Sequence, residues 1–282
     1  MLSVDQASEL LHGNEGIIAL SYLLDLSLGE VRRQGGKILQ PEEEKAYLTL
    51  VKKRKAGLPL QYAIGQWDFY GRTFRVDSRA LIPRPETELL VEEVLKRGVR
   101  GKRILEIGTG TGIIPITLSL ETLENGPPNE IIATDLSGDA LALAKENQDL
   151  LDPEKKTKKL IRWVRGDLFD AFTGQADWLI SNPPYVPEKG KEALQKDLFY
   201  EPSQALFAGP DGLALYQRLI FQAPPQLKEG GKIALEIGDD QALAVKDLLR
   251  KAGFQKIEIR KDLCGRDRMV FAQKKTKGGD LV

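Results

Sequence analysis

The stretch Trp178-Leu179-Ile180-Ser181-Asn182-Pro183-Pro184-Tyr185 decides how this chain is read. Trp178-Leu179-Ile180 is an apolar run that predicts a buried parallel strand. Pro183 and Pro184 have fixed φ and no N–H, so a central strand cannot continue through them. The chain must therefore leave the sheet stiffly, with Asn182 at the strand's carboxyl end. In open α/β sheets that edge is where ligands bind. A carboxamide fixed there can both donate and accept hydrogen bonds to a planar polar group.

On both sides of this stretch the pattern is strand, turn, helix. Ile104-Leu105-Glu106-Ile107 predicts a short buried strand, followed by Gly108-Thr109-Gly110-Thr111-Gly112 and a helix through about Leu123. Ile131 to Asp135 and Leu160 to Val164 predict the next two strands, with a helix over 138–151 between them. Trp178 to Ser181 is the fourth strand. Residues 186–211 carry little periodicity, and a loop of that length in a compact domain is usually functional. A helix over 213–227, a fifth strand over 232–237, a helix over 240–252 and strands over 254–261 and 268–273 complete a seven-stranded, mostly parallel, doubly wound α/β sheet.

Upstream, Leu10, Leu11, Ile17, Leu20, Leu23 and Leu24 recur at helical spacing, and Pro41-Glu42-Glu43-Glu44 starts a helix with proline first and acids near its positive end. Lys52-Lys53-Arg54-Lys55 reads as a solvated helix end, with a contact to RNA or an acidic partner as the other reading. Asp68 to Val76 alternates around Gly71 as a β-hairpin. Thr87 or a neighbour is expected to cap a helix running to about Arg97. The expected organisation is a helical domain over 1–64, a hairpin linker over 65–80, an α/β domain over 81–273 and a disordered tail over 274–282.

With 41 basic and 41 acidic residues among 282, net charge gives no case for an extended polyanion partner. Cys264 is the only cysteine and His12 the only histidine, which excludes an intramolecular disulfide and argues against a His-based triad or a metal site. The start has no basic signal-like region and no apolar run reaches membrane-spanning length, so a cytoplasmic protein without membrane contact is expected. Cys264 and His12 are read as structural or surface residues.

The glycine turn lacks the six-residue G-x-G-x-x-G spacing of the dinucleotide fingerprint, which weakens a pyrophosphate reading. Asp135 ends the second strand and suits two ribose hydroxyls. Glu106 sets another carboxylate where it can meet a ligand's amine. Asp167, followed by Leu168 at the end of the third strand, can accept from an adenine amino group. An ammonium-bearing, phosphate-free adenosyl ligand fits these residues better than NAD.

Glu106-Ile-Gly-Thr-Gly-Thr-Gly112, Asp135, Asp167 and Asn182-Pro-Pro-Tyr185 together resemble the class I S-adenosylmethionine-dependent methyltransferases that act on exocyclic or amide nitrogens, with their Rossmann-like sheet. Leu60-Gln61-Tyr62-x-x-Gly65, Ile82-Pro83-Arg84-Pro85-Glu86-Thr87-Glu88, Glu201-Pro202, Gly209-x-Asp211-Gly212-Leu213 and Asp262-Leu263-x-Gly265-x-x-Arg268 resemble the release factor glutamine methyltransferase family, from about residue 10 to 273. Glu106 stands where aspartate is more usual, which keeps the carboxylate.

The resemblance implies methylation of the glutamine side-chain amide in the Gly-Gly-Gln tripeptide of bacterial peptide chain release factors. S-adenosyl-L-methionine would be held by Glu106, Gly108, Thr109, Gly110, Thr111, Gly112, Asp135, Asp167, Leu168 and Asn182. Asn182 Oδ1 and the Pro183 carbonyl would accept the two amide hydrogens, and the Tyr185 ring would cover the flat amide. Pro184 would stiffen the turn, and Arg84 and Glu88 would close the pocket. The helical domain would dock the protein substrate, with a monomer and no direct nucleic-acid requirement expected. Methylation of an exocyclic amine of adenine or guanine in DNA or RNA, with a flipped base on the aromatic, and a non-catalytic translation-factor-binding module are the alternatives.

Overall fold

The computed structural model describes residues 1–189, 192 and 196–276. Five helices come first: α1 Val4–Ser8, α2 Glu15–Leu24, α3 Leu28–Arg33, α4 Pro41–Lys55 and α5 Leu60–Ile64. They enclose their own apolar cluster, with Leu20, Leu39 and Tyr47 fully buried. α4 starts as its sequence requires, with Pro41 in the first turn and a capping box between Gln40 and Glu43. Its basic end is partly engaged, because Arg54 pairs with Glu15 at 2.8 Å and with Asp197 at 3.1 Å.

The hairpin follows as β1 Gln66–Phe69 and β2 Arg72–Arg75. Tyr70 and Gly71 both have positive φ, 51° and 71°, the backbone of a two-residue turn whose twist matches its strands. Asn147 locks this hairpin to the main domain. Its Oδ1 accepts from Arg75 N at 2.7 Å, and its Nδ2 donates to Arg75 O at 3.1 Å and to Thr111 O at 3.0 Å.

The main domain contains α6 Pro85–Arg97, β3 Arg103–Ile107, α7 Ile113–Thr122, β4 Glu130–Asp135, α8 Gly138–Leu151, β5 Ile161–Arg165 and β6 Ala176–Ser181. After β6 come a 3-10 turn over Lys196–Tyr200, α9 Ser203–Leu206, α10 Ala214–Gln226, β7 Leu227–Glu236, α11 Ala242–Lys251, β8 Phe254–Lys261 and β9 Asp267–Lys274. The seven strands lie in the order β5-β4-β3-β6-β7-β9-β8. β3 to β7 pair in parallel, and β9 runs antiparallel between β7 and β8. Strand order reverses between β3 and β6, where Ile107 faces Ser181. Apolar clusters fill both faces of the sheet, as expected when helices cover each side.

Three expectations need correction. Thr87 does not cap α6: Arg84 takes the extended N-cap position, and Thr87, one turn in, is buried. β7 begins at Leu227, before the expected start of the fifth strand. β9 extends to Lys274, and 277–282 of the expected tail lie outside the described residues. Within 186–211, Val186 pairs with Phe207, so the loop returns beside its own start.

Replacing Asn147 with leucine leaves the Arg75 and Thr111 main-chain groups without these partners. Urea unfolding should show a loss of about 2–4 kcal/mol, and a variant within 0.5 kcal/mol of the parent would show that Asn147 does not secure the hairpin.

Candidate active site

A cavity of about 400 Å³ opens at the carboxyl ends of β3, β4, β5 and β6, where the strand order reverses. This is the place an open parallel sheet offers a ligand, because the connections from β3 and β6 leave in opposite directions. Glu106, Gly108, Thr109, Gly110, Thr111, Asp135, Asp167, Leu168, Asn182, Pro184 and Arg84 all line it.

The glycine turn uses its N–H groups internally. Gly108 N and Thr109 N both donate to Thr134 O, at 2.9 and 3.0 Å, and Gly112 N donates to Thr109 O at 2.9 Å. Gly110 N donates to Asp135 Oδ2 at 2.9 Å. These amides therefore do not form a free phosphate cradle of the kind built at a helix N-terminus. Gly108 has φ +75°, and a Cβ there would meet nothing within 4 Å, so its backbone borders open space. Gly112 differs. At φ +80°, its Cβ would sit 3.0 Å from Ala144, Ile116 and Trp163 atoms, and it is absent from the cavity wall. Gly112 permits close packing beneath the turn.

The acids on the wall have different surroundings. Glu106 is fully buried; Thr109 Oγ1 donates to its Oε2 at 2.6 Å, and Oε1 has no partner among the described residues. Burial raises its pKa to about 8, the Thr109 bond opposes this, and Asp135 adds to it. Such a carboxyl lacks a cation. An ammonium on a bound ligand would supply one. Asp135 accepts from Gly110 N and from Ser137 N, each at 2.9 Å, leaving a lone pair on each oxygen for a diol. Burial raises its pKa against these backbone bonds. Asp167 is tied to Arg218 of α10 at 2.7 Å, a partner the sequence did not suggest. Leu168 is buried with φ +50°, an uncommon backbone for leucine, at the same rim.

Asn182 leaves β6 beside Thr87 and Glu236. Its Nδ2 donates to Thr87 Oγ1 at 3.0 Å, and Thr87 Oγ1 donates to Glu236 Oε2 at 2.7 Å. Pro183 is buried and off the cavity wall. Tyr185 is also off the wall: its ring packs on the larger apolar cluster, and its carbonyl accepts from Gln241 Nε2 at 3.0 Å. Neither residue lines the cavity, and both follow closely on Asn182, which does. Glu88 is spent elsewhere too, accepting from Tyr70 N at 2.7 Å to hold the hairpin turn. Arg84 does face the cavity and pairs with Glu201 at 2.5 Å, while Glu201 also accepts from Ile82 N at 3.0 Å. This buried acid pins the segment after the 3-10 turn, whose Pro202, Gln204, Ala205 and Phe207 form further cavity wall.

Sequence reasoning missed Thr87, Glu236 and Glu201 as parts of the site. For Glu236 a signal existed, an acid near the end of an apolar strand, as for Glu106.

Residues 84–212 match the methyltransferase small domain family, and residues 11–65 match the PrmC N-terminal domain family. The chain is 38% identical over 260 residues to the release factor glutamine methyltransferase of Aquifex aeolicus, covering 91% of this chain and 89% of that one. It is 42% identical over 236 residues to that of Enterococcus faecalis, covering 82% of each. The chain belongs to the release factor glutamine methyltransferase family. The fold of this family member is shared with more distant enzymes. The catalytic domain of human Mettl16, solved with an RNA hairpin, superposes with a TM-score of 0.55 at 19% identity over 88% of this chain and 87% of that one. The Mtq2 structure from the E. cuniculi Mtq2-Trm112 complex gives 0.50 at 21% identity over 70% of this chain and 99% of that one.

The raised pKa values of Glu106, about 8, and Glu236, about 7, have a stability consequence. Both carboxyls are protonated in the fold at pH values where the unfolded chain has already ionised them. Unfolding then releases protons, so this contribution to stability is fully present below about pH 4.5 and is lost as pH rises towards 8. Glu106→Gln lacks its share of this loss. Its stability relative to the parent should therefore rise between pH 5.5 and 8.5 by about 2–4 kcal/mol. Parallel urea curves at the two pH values would contradict the burial argument.

Proposed function

We propose that this protein transfers a methyl group from S-adenosyl-L-methionine to the side-chain amide nitrogen of the glutamine in a Gly-Gly-Gln tripeptide of a bacterial peptide chain release factor. The observation carrying this reading is Asn182. Its carboxamide is held by Thr87 on the wall of the cavity that also contains the Glu106 carboxyl oxygen left without a partner among the described residues.

The residues present fit the cofactor. Glu106 would meet its ammonium, Asp135 its ribose hydroxyls, and Gly108 and Gly110 would let the backbone approach; Asp167 and Leu168 would border the adenine. When bound, S-adenosylmethionine supplies an electrophilic methyl on a sulfonium whose sulfur keeps the bonding electron pair. The protein must then orient a poor nucleophile, because the amide lone pair is delocalised. Thr87 occupies the Nδ2 end of Asn182, so Oδ1 is the end offered to a substrate N–H. Holding the NH₂ this way restrains rotation about the C–N bond and turns the nitrogen towards the methyl. Orientation of this kind can contribute several kcal/mol, up to about 7–11 in good cases. The proton shed by the methylated nitrogen goes to water, so no strong base is needed.

Residues 1–64 are proposed as the unit that docks the release factor, and the protein as a monomer acting in the cytoplasm without direct need of nucleic acid. Among the described residues no helix is long and apolar enough to cross a membrane.

Incubating the purified protein and labelled cofactor with a release factor, with DNA and with RNA tests the reading. Label should enter the release factor, in the peptide carrying Gly-Gly-Gln by mass spectrometry; label in nucleic acid alone would overturn it. Asn182→Ala should lower kcat by about a hundredfold or more while cofactor affinity changes little. Transfer at the parental rate would remove Asn182 from the mechanism. Cofactor binding at pH 7 should also release about one proton as Glu106 ionises against the ammonium. Calorimetry in buffers of different ionisation enthalpy measures this, and proton release unchanged in Glu106→Gln would be inconsistent with that pairing.

A further inference from the structure

A carboxamide is nearly symmetric in shape, and only its hydrogen bonds fix which end is oxygen. In this site the outcome depends on Thr87, which has one hydrogen to give. Thr87 Oγ1 lies 2.7 Å from Glu236 Oε2 and 3.0 Å from Asn182 Nδ2. Thr87 and Glu236 are buried, which shields the bond between them from water, and Asn182 is half-buried at the cavity edge. An ionised Glu236 can only accept, so the Thr87 hydrogen goes to it. The Thr87 oxygen can then only accept from Asn182, which commits the NH₂ end inward. Sheet pairing brings the three together: Ser181 lies opposite Leu235, so the residues that follow, Asn182 and Glu236, leave adjacent strands side by side. Thr87 reaches both from the first turn of α6.

We propose that Glu236 and Thr87 are positioning residues: ionised Glu236 sets the direction of a hydrogen-bond relay through Thr87 that presents Asn182 Oδ1 to the substrate, and protonation of Glu236 reverses it. This rests on the methyl-transfer reading above. Reversal follows from the unpaired oxygen. Glu236 Oε1 has no partner among the described residues, so a proton there would find no acceptor. A proton on Oε2 can be donated to Thr87. Thr87 then donates to Asn182, whose oxygen turns inward and whose NH₂ faces the substrate NH₂, donor against donor.

Several charged and titratable groups surround Glu236. Arg84 and Glu86 approach from the start of α6, Arg268 from β9 and Tyr185 from the turn after β6; the Tyr216 hydroxyl of α10 donates to Glu236 O at 2.7 Å. Burial lifts the Glu236 pKa to about 7, against the Thr87 bond and Arg268; Glu86 raises it and Arg84 lowers it. Tyr185 is pushed up to about 12 and Tyr216 well above its usual value, so neither ionises near neutrality. Glu106, at about 8, acts on cofactor affinity, and its effect is removed by saturating cofactor.

Two readouts test the relay. The Asn182 side-chain nitrogen resonance, followed by NMR in the full-length protein from about pH 5.5 to 9, should titrate near the Glu236 pKa of about 7. It should be flat in Thr87→Val and in Glu236→Gln. At saturating cofactor, with a release factor as substrate, Thr87→Val should lose about tenfold or more in kcat, with KM for either substrate shifted less than about threefold. Thr87→Ser should recover most of the loss. The parent should show an acid limb in kcat that Glu236→Gln lacks. A pH-independent Asn182 resonance in the parent, or parental kcat in Thr87→Val, would overturn the proposal. Should Glu236→Gln fail to fold, the parental titration and the isosteric Thr87→Val still decide. A parent that leaves release factor unmethylated would sink the functional reading, while the resonance still decides the relay.

Discussion

β3 and β6 are hydrogen-bonded neighbours from distant parts of the chain, and the chain runs from them towards opposite edges of the sheet. Their diverging connections leave a crevice at the carboxyl ends. Two hydroxyls satisfy the strand-end carbonyls there without closing it: Ser181 Oγ donates to Ile107 O at 2.7 Å, and Thr134 Oγ1 to Glu106 O at 3.0 Å. Glu106 on β3 and Asn182 just past β6 then border one crevice because the register leaves them no alternative. A slip of one residue would turn both side chains to the other face.

Three buried carboxyls surround that crevice, and their compensation differs. Glu201 has the Arg84 guanidinium and a main-chain N–H. Glu236 has one hydroxyl and the field of Arg268. Glu106 has one hydroxyl and a neighbouring acid. A buried ionised group without a partner is expensive, and it answers by taking up a proton. Glu106 is therefore the group with most to gain from a cation, and it faces the cavity. Poorly compensated groups of this kind cost stability, so they mark a site built to be completed by a ligand.

The local chemistry of the sequence made much of this visible. Prolines after an apolar run place Asn182 at a strand end, and acids ending successive strands place Glu106, Asp135 and Asp167 together. Other features depended on long-range partners. Thr87 reads locally as a cap, but its partner is Glu236, 149 positions away. Glu88 looks like a cavity residue in its motif, yet the Tyr70 main-chain N–H claims it. Gly112 completes a glycine pattern that suggests a ligand, but Ala144, Ile116 and Trp163 explain it. The roles of Pro183 and Tyr185 are implied by the resemblance, and what the fold adds is that both are packed away from the cavity wall.

The cavity has a floor and a roof of different mechanical character. The floor is sheet, with every strand paired on both sides except at the edges. The roof is the segment around 201–209; main-chain hydrogen bonds from Val186 N to Leu206 O, Ala208 N to Val186 O and Glu188 N to Gly209 O tie it to the turn after β6, and side chains tie it on two further sides. Towards the main domain, Glu201 is buried with Arg84, and removing one partner of a buried pair costs about 3–5 kcal/mol. Towards the helical bundle, the ties are the partly exposed Arg54–Asp197 pair and the Tyr200 hydroxyl donating to Ala56 O at 2.9 Å. An exposed ion pair contributes about 0–1 kcal/mol. The bundle is held more firmly beside the roof, where the buried Tyr62 hydroxyl donates to Ala80 O at 2.7 Å and its ring packs with Val76 and Ile82, and lifting the roof from the floor exposes a buried charge. The alignment of Asn182 with Glu106 does not depend on these roof contacts, because it is fixed by strand pairing below.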